Sequence, residues 1–290
     1  MVTPQTESPD IARELGIPKL YFKREDLHPL GSHKGRSIPV MIDTKYKEGA
    51  RSFAISSSGN AALAAIRHVQ TRNLNGDDIT LKVLIGGNIN PIKKQTLLGE
   101  IKDPRVNIEE SQRPLQSLFN LIKGERVASL RQSNDPSALD GYTELAHELA
   151  QTPDLDAVFI ATSSGTAAQA IGEYFIKENK HAEIHIVQTS STAPFAKTWN
   201  DEEVGNAPSI ADAIVDKIAH RKDPLLKVIS TTHGQGWIAS NELIERAMTL
   251  MSKAGIEATP NGALGLAGLM KALSKGKVFR GAVVCIVTGK

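Results

Sequence analysis

The residues with the greatest chemical capacity stand in one short segment. L-Y-F-K-R-E-D-L-H-P-L-G-S-H-K-G-R-S, residues 20–37, runs from a strand-like stretch through a Pro/Gly turn into Ser32, His33, Lys34 and Arg36. The turn residues followed by this cluster predict a helix start. A lysine there faces the positive end of the helix dipole, where cations are disfavoured. His33 and Arg36 add to that pressure. A lowered amine pKa yields the neutral nucleophile that a Schiff base requires. The alternative is an ordinary solvated lysine. Two small-residue turns could receive anionic or polar groups. T-S-S-G-T, 162–166, follows D-A-V-F-I-A and precedes A-A-Q-A-I-G-E-Y-F. Its hydroxyls and the first N–H groups of the following helix would form a phosphate cup. S-S-S-G-N, 56–60, has the same design, with Ser57, Ser58 and Asn60 as donors to a carboxylate or ring oxygen. Gly59 there would permit a positive φ or close ligand approach. Either turn also reads as a Ser/Thr cap on an ordinary helix.

The elements that must position these groups are legible from periodicity. Short apolar or β-branched runs at 20–22, 52–56, 80–85, 156–161, 184–188, 227–230 and 282–288 read as strands. Between them lie patterns of helical spacing, such as Ala61, Leu63, Ala64, Ala65, Ile66 and Val69, or Leu243, Ile244, Ala247, Leu250 and Met251. Strand–helix alternation with continuous apolar strands predicts an α/β fold with parallel sheets covered on both faces. Ligands of such sheets bind beyond the C-terminal strand ends, where both small-residue turns fall.

Composition excludes several classes. With 290 residues, 40% apolar, the chain can bury a sizeable core as two α/β domains or one large one. Lysines and arginines number 34 against 32 acidic residues, so no basic excess asks for nucleic acid. The single cysteine, Cys285, excludes an intramolecular disulfide and a cysteine-based zinc site, and reads as a core residue. The eight histidines have no metal-ligand spacing, so no metal is expected. Apolar runs such as A-V-V-C-I-V at 282–287 fall far short of the roughly 18 residues a membrane span needs. The N-terminal residues carry no signal-peptide features, which makes the cytoplasm the expected location. His233 and the pair Lys93, Lys94 could each meet a substrate, or be solvated surface groups. No strand is followed by a dinucleotide-binding glycine fingerprint.

K-R-E-D-L-H-P-L-G-S-H-K-G-R resembles the lysine segment of fold-type II pyridoxal-phosphate enzymes, which include threonine synthase, the tryptophan synthase β chain, cysteine synthase and serine/threonine dehydratases. The resemblance continues in order along nearly the whole chain. S-S-S-G-N is similar to the family's Ser/Thr-x-Gly-Asn loop, and T-S-S-G-T falls where its glycine-rich phosphate loop stands, here with one glycine. Segments 134–149, 209–214 (S-I-A-D-A-I) and 255–269 (G-I-E-A-T-P-N-G-A-L-G-L-A-G-L) resemble threonine synthases. V-C-I-V-T-G ends on the strand that supplies the pyridine partner.

The resemblance implies two three-layer α/β domains with mainly parallel sheets, as in the tryptophan synthase β chain, with pyridoxal 5'-phosphate (PLP) in the cleft between them. The larger domain would comprise 1–48 and 137–290, and a smaller mobile one 49–136. Lys34 would hold the cofactor as a Schiff base and, once freed, act as base at the substrate Cα. His33 would contact the phosphate. Ser163, Ser164, Gly165 and Thr166 would bind it. Asn60 would meet the ring oxygen, and Thr288 the pyridine nitrogen. Ser57, Ser58 and Gly59 would meet the substrate carboxylate. A neutral hydroxyl at 288 suits elimination and replacement better than transamination. The implied activity is elimination or replacement at Cβ or Cγ of an amino acid, threonine synthase-like on an O-phosphohomoserine-type substrate. Cysteine synthase or dehydratase activity, or a non-catalytic PLP-binding relative, are the alternatives. A homodimer is the family expectation.

Overall fold

A computed structural model describes residues 1–124, 127–201, 204–205 and 207–289. The strands in chain order are β1 (Gln5–Glu7), β2 (Lys19–Arg24), β3 (Ser52–Ser56), β4 (Thr80–Gly86), β5 (Val106–Ser111), β6 (Ala128–Ser129), β7 (Leu155–Ala161), β8 (Glu183–Thr189), β9 (Gly236–Ala239) and β10 (Ala282–Val287). The helices are α1 (Pro9–Leu15), α2 (Lys34–Lys47), α3 (Asn60–Leu74), α4 (Pro91–Glu100), α5 (Pro114–Gly124), α6 (Ser137–Asp140), α7 (Thr143–Ala150), α8 (Thr166–Lys177), α9 (Lys222–Thr231), α10 (Asn241–Lys253) and α11 (Pro260–Ser274). They form two compact units, residues 1–28 with 142–290, and residues 29–141.

The first unit is built on a sheet of order β1-β2-β10-β7-β8-β9, parallel except for the β1–β2 pair. Every residue of β10 is buried, as a strand covered on both faces requires. Phe159, Val283, Cys285 and Val287 enter a core with α10 and α11. Alternation turns Val158, Ile160, Ile184 and Ile186, also buried, to the other face. There Gly172 of α8 packs so closely that an added Cβ would lie 3.5 Å from Ile184 and 2.1 Å from Val228. The N-G-A-L-G-L-A-G stretch of α11 has an equivalent purpose. A Cβ on Gly265 would sit 3.1 Å from the Phe159 carbonyl oxygen, and one on Gly268 2.2 Å from a Val187 methyl.

The second unit has the all-parallel order β5-β4-β3-β6. Ile38, Met41 and Ile42 of α2 and Ala62, Ala65, Ile66 and Val69 of α3 pack with Phe53, Ile55, Leu81 and Val83 of the strands. Ala54, Leu84 and Leu118 of α5 form the core on the opposite face. The unit that holds residues 49–136 therefore also takes in α2 and the residues just before it.

The run 227–230, expected as a strand, lies in α9. Leu225, Val228 and Ile229 are its buried residues, at i, i+3 and i+4, a helical face that a four-residue apolar window does not reveal. β1, β5, β6 and β9 went unforeseen because each is short or carries polar residues. β9, G-W-I-A, is buried along its whole length by neighbours distant in sequence.

One carboxylate fastens the second unit. Asp103 accepts from Asn73 Nδ2 (2.7 Å), from the Arg105 backbone N–H (2.9 Å) and from Arg105 Nε and Nη2 (2.9 and 3.0 Å). The Arg105 guanidinium holds its pKa down at about 2. The ordinary value is about 3.9, so this stabilisation is complete above about pH 4 and is lost as pH falls toward about 2. Thermal melts of Asp103→Asn are expected to lose that segment of acid dependence while remaining less stable than the parent near neutrality. A parent-like acid profile in the variant would contradict this.

Candidate functional site

Lys34 is the first residue of α2. Fully buried Ser32 accepts the Lys34 backbone N–H on its hydroxyl oxygen (3.2 Å) and the Gly35 N–H on its carbonyl (2.9 Å). No acidic residue stands in the first turn, while Lys45 and Lys47 occupy the last, so Lys34 and Arg36 are the cations set against the dipole at the start of α2. His33 is the N-cap, with helical backbone angles and no side-chain cap bond. Arg36 is buried. Pro39 inside the helix removes the N–H that would bind the Gly35 carbonyl.

The start of α2 is braced by residues 135–141. Ser37 donates its hydroxyl to the Ala138 carbonyl (2.8 Å). Asp135 accepts from the Ser137 N–H (3.0 Å) and hydroxyl (2.6 Å) and pairs with Lys45 (2.8 Å). Gly141 lies so close that a Cβ there would stand 2.4 Å from Ser37 Cα and 2.6 Å from the Arg36 carbonyl oxygen. This gives the 134–149 segment a structural purpose that its sequence did not disclose.

In the same unit, Ser57, Ser58 and Gly59 form the turn between β3 and α3, and Asn60 is the first residue of α3. The Gly59 N–H bonds the Ser57 hydroxyl oxygen (3.3 Å). Gly59 has φ −129°, so no positive φ requires glycine. A Cβ there would meet nothing within 4 Å, which leaves room for close approach of a ligand. Gly59→Ala is expected to cost less than about 1 kcal/mol of stability. It should raise KM for an amino-acid substrate about tenfold, read by steady-state kinetics beside a thermal melt. An unchanged KM would remove Gly59 from the site.

The first unit holds the other predicted residues. Ser163, Ser164 and Gly165 turn from β7 into α8, and Thr166 begins that helix. Gly165 is left-handed, φ 83°, and a Cβ on it would stand 2.9 Å from Leu225 and 3.3 Å from Phe195. Both backbone and packing therefore demand glycine. Ser164 and Thr166 share a hydroxyl–hydroxyl bond of 2.9 Å. The Ser163 hydroxyl donates to Asp216 (2.9 Å) and accepts the N–H groups of Val215 and Asp216 (both 3.2 Å). Its single proton is thus directed at a carboxylate. Thr288 directly follows β10, the neighbour of β7, and is buried, donating to the Asn261 carbonyl (3.3 Å).

Asp216, Gly141 and Phe195 were missed from sequence. Their roles rest on contacts, and only the small residues of 134–141 gave any local sign. Among the other candidates, Lys94 pairs with Glu110. His233 is exposed, with φ 58°, in the turn that ends α9. Burial pushes the Cys285 thiol pKa up, which makes it inert. No cluster that could hold a metal ion occurs among the described residues. None of their helices is long and apolar enough to cross a membrane.

The profile of the pyridoxal-phosphate dependent enzyme family matches residues 1–289, and the chain belongs to this family. The cofactor of the family is PLP. Among curated relatives, threonine synthase from Halalkalibacterium halodurans is 24% identical, covering 99% of this chain and 81% of that protein. Threonine synthase from Bacillus sp. (strain ULM1) is 26% identical, covering 99% and 82%. Among solved structures, maize serine racemase superposes with a TM-score of 0.83 at 19% identity, covering 99% of this chain and 87% of that one. A threonine deaminase from Solanum lycopersicum gives 0.83 at 18%, covering 99% and 78%. The fold is that of fold-type II PLP enzymes. The donor set fits the cofactor: an amine opening α2, hydroxyls around a left-handed glycine opening α8, an amide opening α3, and a neutral hydroxyl after β10.

Proposed function

We propose that this chain catalyses elimination or replacement at Cβ or Cγ of an amino acid, as a threonine synthase-like lyase on an O-phosphohomoserine-type substrate. The observation that carries the substrate class is the match to curated threonine synthases over 99% of the chain. PLP supplies the electron sink when bound. Lys34 Nζ would hold it covalently and, once released, take the substrate Cα proton. The N–H groups opening α3, with Ser57 and Ser58, would bind the substrate carboxylate. Asn60 would orient the cofactor ring oxygen. Ser164, Gly165 and Thr166, with His33, would hold the cofactor phosphate. Ser163 enters this set through its backbone, since its hydroxyl proton goes to Asp216. Thr288, a neutral hydroxyl, would leave the pyridine nitrogen largely unprotonated. We read the protein as a cytoplasmic homodimer on family grounds.

The test is an activity screen of the PLP-loaded protein with O-phosphohomoserine, O-acetylserine, serine and threonine. Release of phosphate with formation of threonine from the first is expected. Ammonia release from serine or threonine alone would overturn the substrate class in favour of a dehydratase. Sulfide-dependent consumption of O-acetylserine would make it a cysteine synthase. A second reading, a PLP-binding protein without turnover, is favoured by the phosphate cup itself, which has the single glycine Gly165 where the family's loop is glycine-rich. It predicts cofactor binding with no product from any of the four.

A further inference from the structure

We propose that Asn261 is a positioning residue of the cofactor site: tied to Thr288 through its carbonyl, it holds with its amide the strap that fixes Ser163 at the phosphate cup. The inference rests on the cofactor reading above, which sets the phosphate at Ser163–Thr166 and the pyridine nitrogen at Thr288.

Two stretches far apart in sequence, S-I-A-D-A-I at 209–214 and T-P-N-G at 259–262, meet in the first unit. Residues 208–216 form neither helix nor strand, yet side chains from three helix starts hold them. Asn241, the first residue of α10, accepts the Ile210 N–H (3.0 Å) and donates to the Pro208 carbonyl (3.2 Å). Asn261, the second residue of α11, accepts the Ala213 N–H on Oδ1 (3.0 Å) and donates from Nδ2 to Asp212 (3.2 Å). Ser163, just before α8, accepts the N–H groups of Val215 and Asp216. Between these points Ala211 and Ile214 are buried in the core of the unit. The strap therefore runs along the edge of the sheet where β9, β10 and β7 end, the edge at which ligands of parallel sheets bind.

Asn261 joins this strap to Thr288, whose hydroxyl donates to its carbonyl (3.3 Å). The start of α11 is fixed to the same end of β10. The Thr259 hydroxyl donates to the Gly289 carbonyl (3.2 Å), and a Cβ on Gly262 would stand 3.1 Å from that oxygen. From this anchored point the side chain reaches the strap, and the chemistry there calls for an amide. Ala213 brings a donor and Asp212 an acceptor, and asparagine answers each from a separate atom. Aspartate has acceptors only and would set a second carboxylate against Asp212. Alanine keeps the carbonyl for Thr288 and drops both strap bonds. Two residues beyond Ala213 the strap meets the Ser163 hydroxyl. That hydroxyl is engaged by the strap, and its bonds set the direction of the Ser163 backbone toward the cup. Loss of the Asn261 amide should thus be felt at the phosphate.

Titration of the full chain, freed of cofactor, with PLP and with pyridoxal separates this role from loss of structure. Asn261→Ala is expected to weaken PLP about tenfold, while pyridoxal, which lacks the phosphate, changes less than about twofold. Asn261→Asp should weaken PLP at least as much. Adding Asp212→Asn to it exchanges donor and acceptor and should return PLP affinity to within about threefold of the parent. Asn241→Ala releases only the far end of the strap and should leave PLP affinity within about twofold. If Asn261→Ala fails to fold by circular dichroism, Asn261→Asp and its double variant carry the test. Unchanged PLP affinity in the Asn261 variants, equal weakening of PLP and pyridoxal, a double variant no better than Asn261→Asp, or an equal loss in Asn241→Ala would overturn the role. A parent that binds PLP no more tightly than pyridoxal would instead overturn the phosphate cup at Ser163–Thr166, and this role with it.

Discussion

Replacing Lys34 with alanine is expected to leave a folded protein that no longer turns over amino-acid substrate. The fold should not suffer. Lys34 opens α2 with its charge against the dipole, no acidic residue shares its turn, and alanine is a better helix former. Circular dichroism without cofactor should show a folded protein with a cooperative melt. Activity should fall by about 10²–10⁴-fold for loss of the base alone, and further through loss of the covalent hold on PLP. Borohydride reduction of the parent should leave a pyridoxyl group on the peptide containing Lys34, and reduction of the variant should leave none. A pyridoxyl group on any other lysine, or a variant with more than about a tenth of parent activity, would remove Lys34 from its role. Lys34→Arg keeps the charge and length but not a removable proton, and should not restore turnover.

What could be read in the sequence was local. Helix starts at Lys34, Asn60 and Thr166 are announced by small, hydroxylated residues after apolar strands, and the structure has all three. Gly165 was legible only as a small residue in an anion-binding turn, and its left-handed backbone became visible in the structure. At Gly59 the sequence left open a positive φ or close approach of a ligand, and the structure has the open space without the positive φ. The failures are contacts. V-I-S reads as a strand until Leu225 and its partners show one buried helical face. G-W-I-A is too short to signal β9, which exists because β8 lies beside it. The Ser163–Asp216 bond joins residues 53 apart. No spacing rule reaches that far, so the carboxylate beside the cup became visible only in three dimensions.

The same distinction makes Gly141→Ala the sharper experiment on this site. Gly141 has φ −62° and ψ −21°, an ordinary helical conformation that alanine adopts freely. A backbone reading therefore predicts a neutral or mildly stabilising change. Packing predicts the opposite. The new Cβ would stand 2.4 Å from Ser37 Cα and 2.6 Å from the Arg36 carbonyl oxygen, and backbone atoms cannot swing aside as a side-chain end can. Either residues 137–141 or the first turns of α2 must move, and the Ser37–Ala138 bond goes with them. Overpacking of this kind costs about 1–3 kcal/mol. Lys34 lies one turn before Ser37, so a shift of about 1 Å there is expected to lower kcat up to about 10²-fold with PLP still bound. Ala138→Gly keeps the carbonyl and should leave kcat near the parent value, which separates the brace from general loss of stability. A Gly141→Ala enzyme with a lowered melting temperature and an intact kcat would mean that Lys34 holds its position without the brace.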